Sequence, residues 1–156
     1  MKLTTLCFLH TNTDILLAMK KRSFGAGKMN GVGGKVQGDE TPEQALVREA
    51  FEEIEVTLNE DKLDKVAIIH FAFDNKPDWD QECHVYFASE WEGEPTESEE
   101  MKPEWYSKEE IPYEKMWADD AHWLPKVLAG EKIRAHFFFN DDQTMKEDFA
   151  IEPLVE

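Results

Sequence analysis

The sequence is poor in cysteine, in positive charge and in long apolar runs, and each shortage excludes something. Cys7 and Cys83 are the only two cysteines and stand far apart, with no Cys-x-x-Cys or Cys/His spacing. A disulfide framework and a thiolate zinc site are therefore not indicated, and two buried free thiols are expected. Seventeen Lys and Arg face 34 Asp and Glu, a formal charge of −17. Affinity for nucleic-acid backbones and for anionic membrane surfaces comes from Lys and Arg, so neither is an expected partner. A small polyanion can bind such a chain only where bound cations or a local basic patch reverse the field. The one apolar run near the N-terminus, Leu6 to Leu9, is far too short for a signal-peptide core or a membrane span. The cytosol is the expected compartment. At 156 residues and 41% hydrophobic, the chain suits one domain over 1–156 with a real core, expected as a monomer.

Apolar runs predict strands over Leu3–Leu9 and Ile15–Lys20, joined as a hairpin by the polar turn His10 to Asp14. Five glycines then fall within Gly25 to Gly34, a loop expected to enter a short strand near Gly33–Val36. The strongest helix signal follows. Thr41 is a good N-cap, Pro42 suits the first helical position and Gln44 completes a capping box. Leu46, Val47, Ala50, Phe51 and Ile54 form an apolar stripe expected to face the core. Further strands are predicted over Lys65–Phe73 and His84–Trp91, around a turn at Asn75 to Asp78, with an exposed acidic loop over Glu92–Glu100. Asp119-Asp120 reads locally as the cap of a second helix running towards Gly130, with a kink or early break at Pro125. Ile133–Phe139 and Thr144–Ile151, separated by Asn140 to Gln143, predict a closing hairpin. This order describes an α/β or α+β arrangement in which helices cover a mixed sheet.

On the first helix, Glu49, Glu52 and Glu53 stand at i, i+3 and i+4 and so share one arc beside the apolar stripe. Like charges at these spacings repel, and only the Arg48 to Glu52 pairing offsets this. Hard cations such as Mg²⁺ take oxygen ligands and bridge carboxylates to substrate phosphates, which fits the patch. A solvated acidic face is the alternative that the periodicity alone leaves open.

The longer constellation is Gly34, five residues, Glu40, seven residues, then Arg48-Glu49-Ala50-Phe51-Glu52-Glu53. It closely resembles the Nudix box, G-x5-E-x7-R-E-U-x-E-E-x-G-U. Two positions depart from it: Ala50 is a small aliphatic, and Glu55 replaces the closing glycine. A left-handed helix end there disfavours a β-carbon, so a strained end with intact metal ligands is expected. A wider resemblance, Met19-Lys20-Lys21-Arg22-x-Phe24-Gly25-Ala26-Gly27-x-x-Asn30-Gly31 and Met116-Trp117-x-Asp119-Asp120-x-x-Trp123-x-Pro125, is to the MutT-homologue oxidised purine nucleoside triphosphatases.

The resemblance implies a Nudix fold, a mixed β-sheet sandwiched between helices (an α/β/α sandwich). It also implies Mg²⁺-dependent hydrolysis, with Mn²⁺ as a substitute, of oxidised purine nucleoside triphosphates to monophosphate and pyrophosphate. Glu49, Glu52 and Glu53 would hold the metal, with Glu100 as ligand or base and Gly34 allowing close backbone approach. Arg48 would orient the glutamates and Glu40 would play an outer-sphere part. The base pocket would comprise Asn30, Trp117, Asp119 and Asp120, walled by Leu6, Phe24, Phe71, Phe73 and Met101, with Thr5 and Lys20 at its border. Met29 stands where related sequences often carry tryptophan. Adjacent carboxyls in an apolar site are not both ionised, so one of Asp119 and Asp120 is expected to hold a proton and donate. Lys20, Lys21 and Arg22, a basic triplet in an acidic chain, are candidate phosphate contacts. Hydrolysis of a nucleotide sugar or dinucleotide, and non-catalytic nucleotide binding, are the alternatives.

Overall fold

A computed structural model describes residues 1–23 and 25–155. In chain order the elements are β1 (Lys2–Leu9), β2 (Asp14–Lys20), β3 (Met29–Asn30), α1 (Pro42–Ile54), β4 (Thr57–Leu58) and β5 (Asp64–Phe73). They continue with β6 (Gln81–Ala88), β7 (Trp91–Glu92), β8 (Met101–Ser107), α2 (Asp120–Leu128), β9 (Ile133–Phe139) and β10 (Ala150–Pro153). A five-stranded mixed sheet runs β1-β6-β5-β9-β10, a second sheet runs β3-β2-β8, and β4 pairs with β7. Apolar side chains on the two sides form two cores. One takes Trp123, Leu124 and Val127 of α2, the other Leu46, Ala50 and Ile54 of α1. The helices therefore cover opposite sides of the sheets, as a sandwich requires. Both cysteines are buried thiols. Among the described residues no helix is long and apolar enough to cross a membrane.

The local signals at α1 hold in detail. The Gln44 N–H donates to Thr41 Oγ1 at 3.1 Å and the Thr41 N–H donates to Gln44 Oε1 at 3.0 Å, closing the capping box. The helix ends on Glu55 at φ 60°, ψ 30°, the left-handed geometry that a Nudix-box glycine would adopt without strain.

Several sequence expectations are corrected. β1 and β2 do not form a hairpin: a single bridge, His10 to Ile15, joins them, after which β1 pairs in parallel with β6 and β2 with β3 and β8. Both strands are apolar on both faces, which suits interior positions in a sandwich better than a half-exposed hairpin. The expected strand at Gly33–Val36 is reduced to two bridges onto β1, Val32 to Cys7 and Lys35 to Thr4, because Gly33 (φ 153°) and Gly34 interrupt it. The last strand begins at Ala150, with only a Met145 bridge before it. α2 runs through Pro125 to Leu128 without the early break. In α1 the buried arc is turned towards the acidic side. It takes in Ala45 and Glu53 and leaves Phe51 58% exposed.

Candidate functional site

The turn of α1 is what assembles the acidic site, since it presses Glu49 and Glu53 against the glycine segment that runs beside β1. The Gly33 N–H donates to Glu53 Oε1 at 2.8 Å. A β-carbon on Gly34 would lie 2.6 Å from Glu49 Cδ, and one on Gly33 would lie 2.0 Å from the Thr5 carbonyl oxygen, so both approaches need glycine. Glu53 is only 4% exposed. Burial first, then the charges of Glu49 and Glu100, push its carboxyl up to about 8, with the Gly33 N–H and Lys20 opposing. Glu49 is raised too, by burial above all, against the pull of Arg48. Glu52 lies on the exposed edge.

Arg48 organises this face. Its Nε and Nη2 donate to the two carboxylate oxygens of Glu40 at 2.8 and 3.0 Å, a fork-on-fork pair, while Nη1 reaches Glu49 at 2.9 Å and Glu52 at 3.5 Å. Nη2 also donates to the Lys35 carbonyl at 3.1 Å. Glu40 and Arg48 thus tie the helix to the glycine segment.

Glu100 enters from the loop before β8. Its carbonyl accepts from the Lys21 N–H at 2.8 Å and its carboxylate from Arg22 Nη2 at 3.1 Å. Lys21 pairs with Glu97, and Arg22 also approaches Glu99 at 3.9 Å. The basic triplet is therefore divided: Lys21 and Arg22 hold the acidic loop, and Lys20 borders the cavity. Among the described residues, no three His, Cys, Asp or Glu side chains come together closely enough to hold a metal ion as they stand.

Next to the glycine segment lies a cavity of about 410 Å³, the size of a small-ligand site. Thr5, Leu6, Lys20, Asn30, Phe71, Phe73, Met101, Trp117, Asp119 and Asp120 all border it, as do Gly33 and Gly34. Phe24 lies outside the described residues. Glu49, Glu52, Glu53 and Glu100 are not part of the lining; Glu49 lies against Gly34 and Glu53 is hydrogen-bonded to Gly33, both of which are. Met29 is buried in the core and is not part of the lining.

Asp119 and Asp120 are 2% and 3% exposed. Asp119 stands at the N-cap of α2 as expected, but its side chain makes no capping bond: its backbone is already helical and its Oδ2 accepts from Trp123 Nε1 at 2.8 Å. Burial pushes both carboxyls up. Asp120 rises well above its ordinary range because the Asp119 charge and a hydrogen bond to Asp119 add to burial. The buried Oδ2 of Asp120 has no hydrogen-bond partner. Asn30 spends its carbonyl oxygen on the Gly31 N–H at 2.9 Å, which leaves its NH₂ to donate.

Trp79, Gln81 and Lys2 also line the cavity and were not found in the sequence. Their only signal was an aromatic residue directly after the turn at Asn75 to Asp78.

Comparison with known proteins gives the family. Residues 2–127 match the NUDIX domain. An oxidized purine nucleoside triphosphate hydrolase from Danio rerio is 43% identical over 146 residues, 94% of this chain and 92% of the relative. Its namesake from Mus musculus is 42% identical over 144 residues, 92% and 90% of the two chains. The crystal structure of the MutT protein from Bacillus halodurans superposes with a TM-score of 0.82 at 25% identity, covering 99% of this chain and all of the other. The chain belongs to the NUDIX family.

Proposed function

We propose that this chain hydrolyses oxidised purine nucleoside triphosphates, such as 8-oxo-dGTP and 2-hydroxy-dATP, to nucleoside monophosphate and pyrophosphate. The observation that carries the reading is the junction at Gly33–Gly34. On one side lie the carboxylates of α1, on the other an aromatic cavity closed by a buried carboxyl pair. A triphosphate whose base fills the cavity would run past Gly33 and Gly34 towards the glutamates. The curated relatives from zebrafish and mouse bear the name of this activity.

The donor set fits a hard divalent cation. Glu49, Glu52, Glu53 and Glu100 offer only oxygen, and Glu53 is a buried carboxyl with one N–H partner and two acidic neighbours, whose raised pKa a bound cation would bring down. Glu49, Glu52 and Glu53 would hold Mg²⁺, or Mn²⁺ in its place, with Glu100 completing the set. When bound, the ion supplies charge neutralisation, phosphate orientation and a lowered pKa for water. Arg48 and Glu40 fix the direction of Glu49 and Glu52. Lys20, at the cavity border beside Glu53, faces the phosphates. The phenylalanines and Trp117 offer flat apolar surfaces to a purine, Asn30 donates to its edge, and the Asp119–Asp120 pair presents one donor and one acceptor. Movement of the shared proton between the two would let one pocket take both oxidised guanine and oxidised adenine edges.

The test is a panel of 8-oxo-dGTP, 2-hydroxy-dATP, unmodified dGTP and ADP-ribose, with products resolved by chromatography. The first two should be hydrolysed best, giving pyrophosphate, and a chelator should stop the reaction. Preference for ADP-ribose, or no chelator-sensitive product, would overturn the proposal.

A further inference from the structure

We infer that Trp79 is a specificity-determining residue that forms a second aromatic wall of the base cavity and favours two-ring over one-ring bases. The inference rests on the function proposed above and on four connected rings. Phe73 and Phe139, on the adjacent strands β5 and β9, stack with centroids 5.1 Å apart and planes 17° from parallel, making a floor. Trp79 stands edge-on to Phe73 at 5.5 Å and 88°, and Trp117 stands edge-on to Phe139 at 5.8 Å and 85°. Each indole is almost perpendicular to the phenylalanine that it touches, and all four rings border the cavity.

Trp79 is held there before any ligand arrives. Its turn is tied to β5, because the Phe73 N–H donates to Asp80 Oδ1 at 2.9 Å, and to β1, because the Lys2 N–H donates to the Asp80 carbonyl at 3.1 Å. Gln81 Nε2 donates to the Trp79 carbonyl at 3.3 Å. Lys76, which is exposed and does not border the cavity, lies over the Trp79 ring at 4.7 Å and steadies it by a cation–π contact. A preset wall needs no ordering on binding, and a flat base gains stacking surface from it. A two-ring base in this cavity has more flat surface to lay against the indoles than a one-ring base.

The experiment measures kcat and KM for 8-oxo-dGTP and for dCTP in wild type, Trp79→Leu, Trp79→Met and Trp79→Phe. Leu and Met refill the volume against Phe73 without a ring, and two such variants guard against one failing to fold. Loss of stacking that serves ground state and transition state alike raises KM and leaves kcat in place. The expected result for 8-oxo-dGTP is a KM increase of roughly 5- to 100-fold in the ringless variants. Phe should restore most of the loss, and dCTP kinetics should barely move. An unchanged KM, an equal shift for both nucleotides, or a Phe variant no better than Leu overturns the inference while leaving the proposed function standing. A wild type inactive on 8-oxo-dGTP overturns the proposed function instead. Calorimetric binding of dGMP then decides the wall: weaker binding by Trp79→Leu supports it, and equal or undetectable binding in both overturns it.

Discussion

Replacing Gly34 by alanine places a methyl carbon 2.6 Å from the Glu49 carboxyl carbon, where ordinary carbon contacts are about 3.5–4.0 Å. The carboxylate must retreat by about 1 Å. Gly34 does not sit in the left-handed region, so alanine adds no backbone strain, and the atoms that yield are the end of a flexible side chain. The stability cost should therefore stay near or below about 1 kcal/mol, a fall in Tm of about 2–4 °C at this chain length. A displacement of about 1 Å at a group that positions the reacting atoms costs on the order of 100-fold in rate. Steady-state hydrolysis of 8-oxo-dGTP at saturating Mg²⁺ should show that loss in kcat, beside a nearly wild-type melting curve. Gly33→Ala is the internal control with the opposite profile. Its methyl would lie 2.0 Å from a backbone oxygen, that of Thr5, at a positive φ, so it should lose roughly 2 kcal/mol or more of stability. A Gly34→Ala enzyme with kcat close to wild type would refute the claim that Glu49 must approach the glycine segment. So would a Gly33→Ala protein as stable as the parent.

Other outcomes follow from the same structure. Glu55→Gly should relieve the left-handed helix end and raise stability by about 1 kcal/mol, or Tm by about 2–4 °C; no gain on melting would contradict the strain. Raised carboxyls release protons later in the folded than in the unfolded state, so Asp119 and Asp120 make stability fall as pH rises above the ordinary aspartate range of about 4. Asp120→Asn removes that contribution, so its Tm should decline less between about pH 4 and pH 7 than the wild type's, and parallel curves would count against it. The same variant and Asp119→Asn should change the ratio of 8-oxo-dGTP to 2-hydroxy-dATP turnover. An unchanged ratio would dispose of the shared proton.

What the sequence disclosed was local or spaced along one element. The capping box, the acidic arc and the left-handed end of α1 each depend on residues within one helix or just beyond it. Strand partners did not show in this way, because both faces of β1 and β2 are apolar and nothing in the turn between them says that they part. β8 is hidden in the sequence because Pro103 and the polar Lys102, Glu104 and Ser107 disguise an edge strand that pairs with β2 along its whole length. Phe51 was placed in the core by periodicity, but the contact between Glu53 and the Gly33 N–H turns the helix away from that arrangement. Asp119 satisfied a capping pattern while its true partner was the Trp123 indole, one turn further on. Trp79 belongs to the cavity only because its turn is pinned to two strands at once.

The proposed hydrolysis requires a divalent ion bound by the carboxylates gathered on α1. The most direct test of this requirement is 8-oxo-dGTP hydrolysis measured against Mg²⁺ concentration in wild type and Glu53→Gln. The wild type should release monophosphate and pyrophosphate along a saturable Mg²⁺ curve, and Glu53→Gln, though folded, should lose nearly all turnover. Wild-type rates in Glu53→Gln, or product formed in the presence of a chelator, would contradict it.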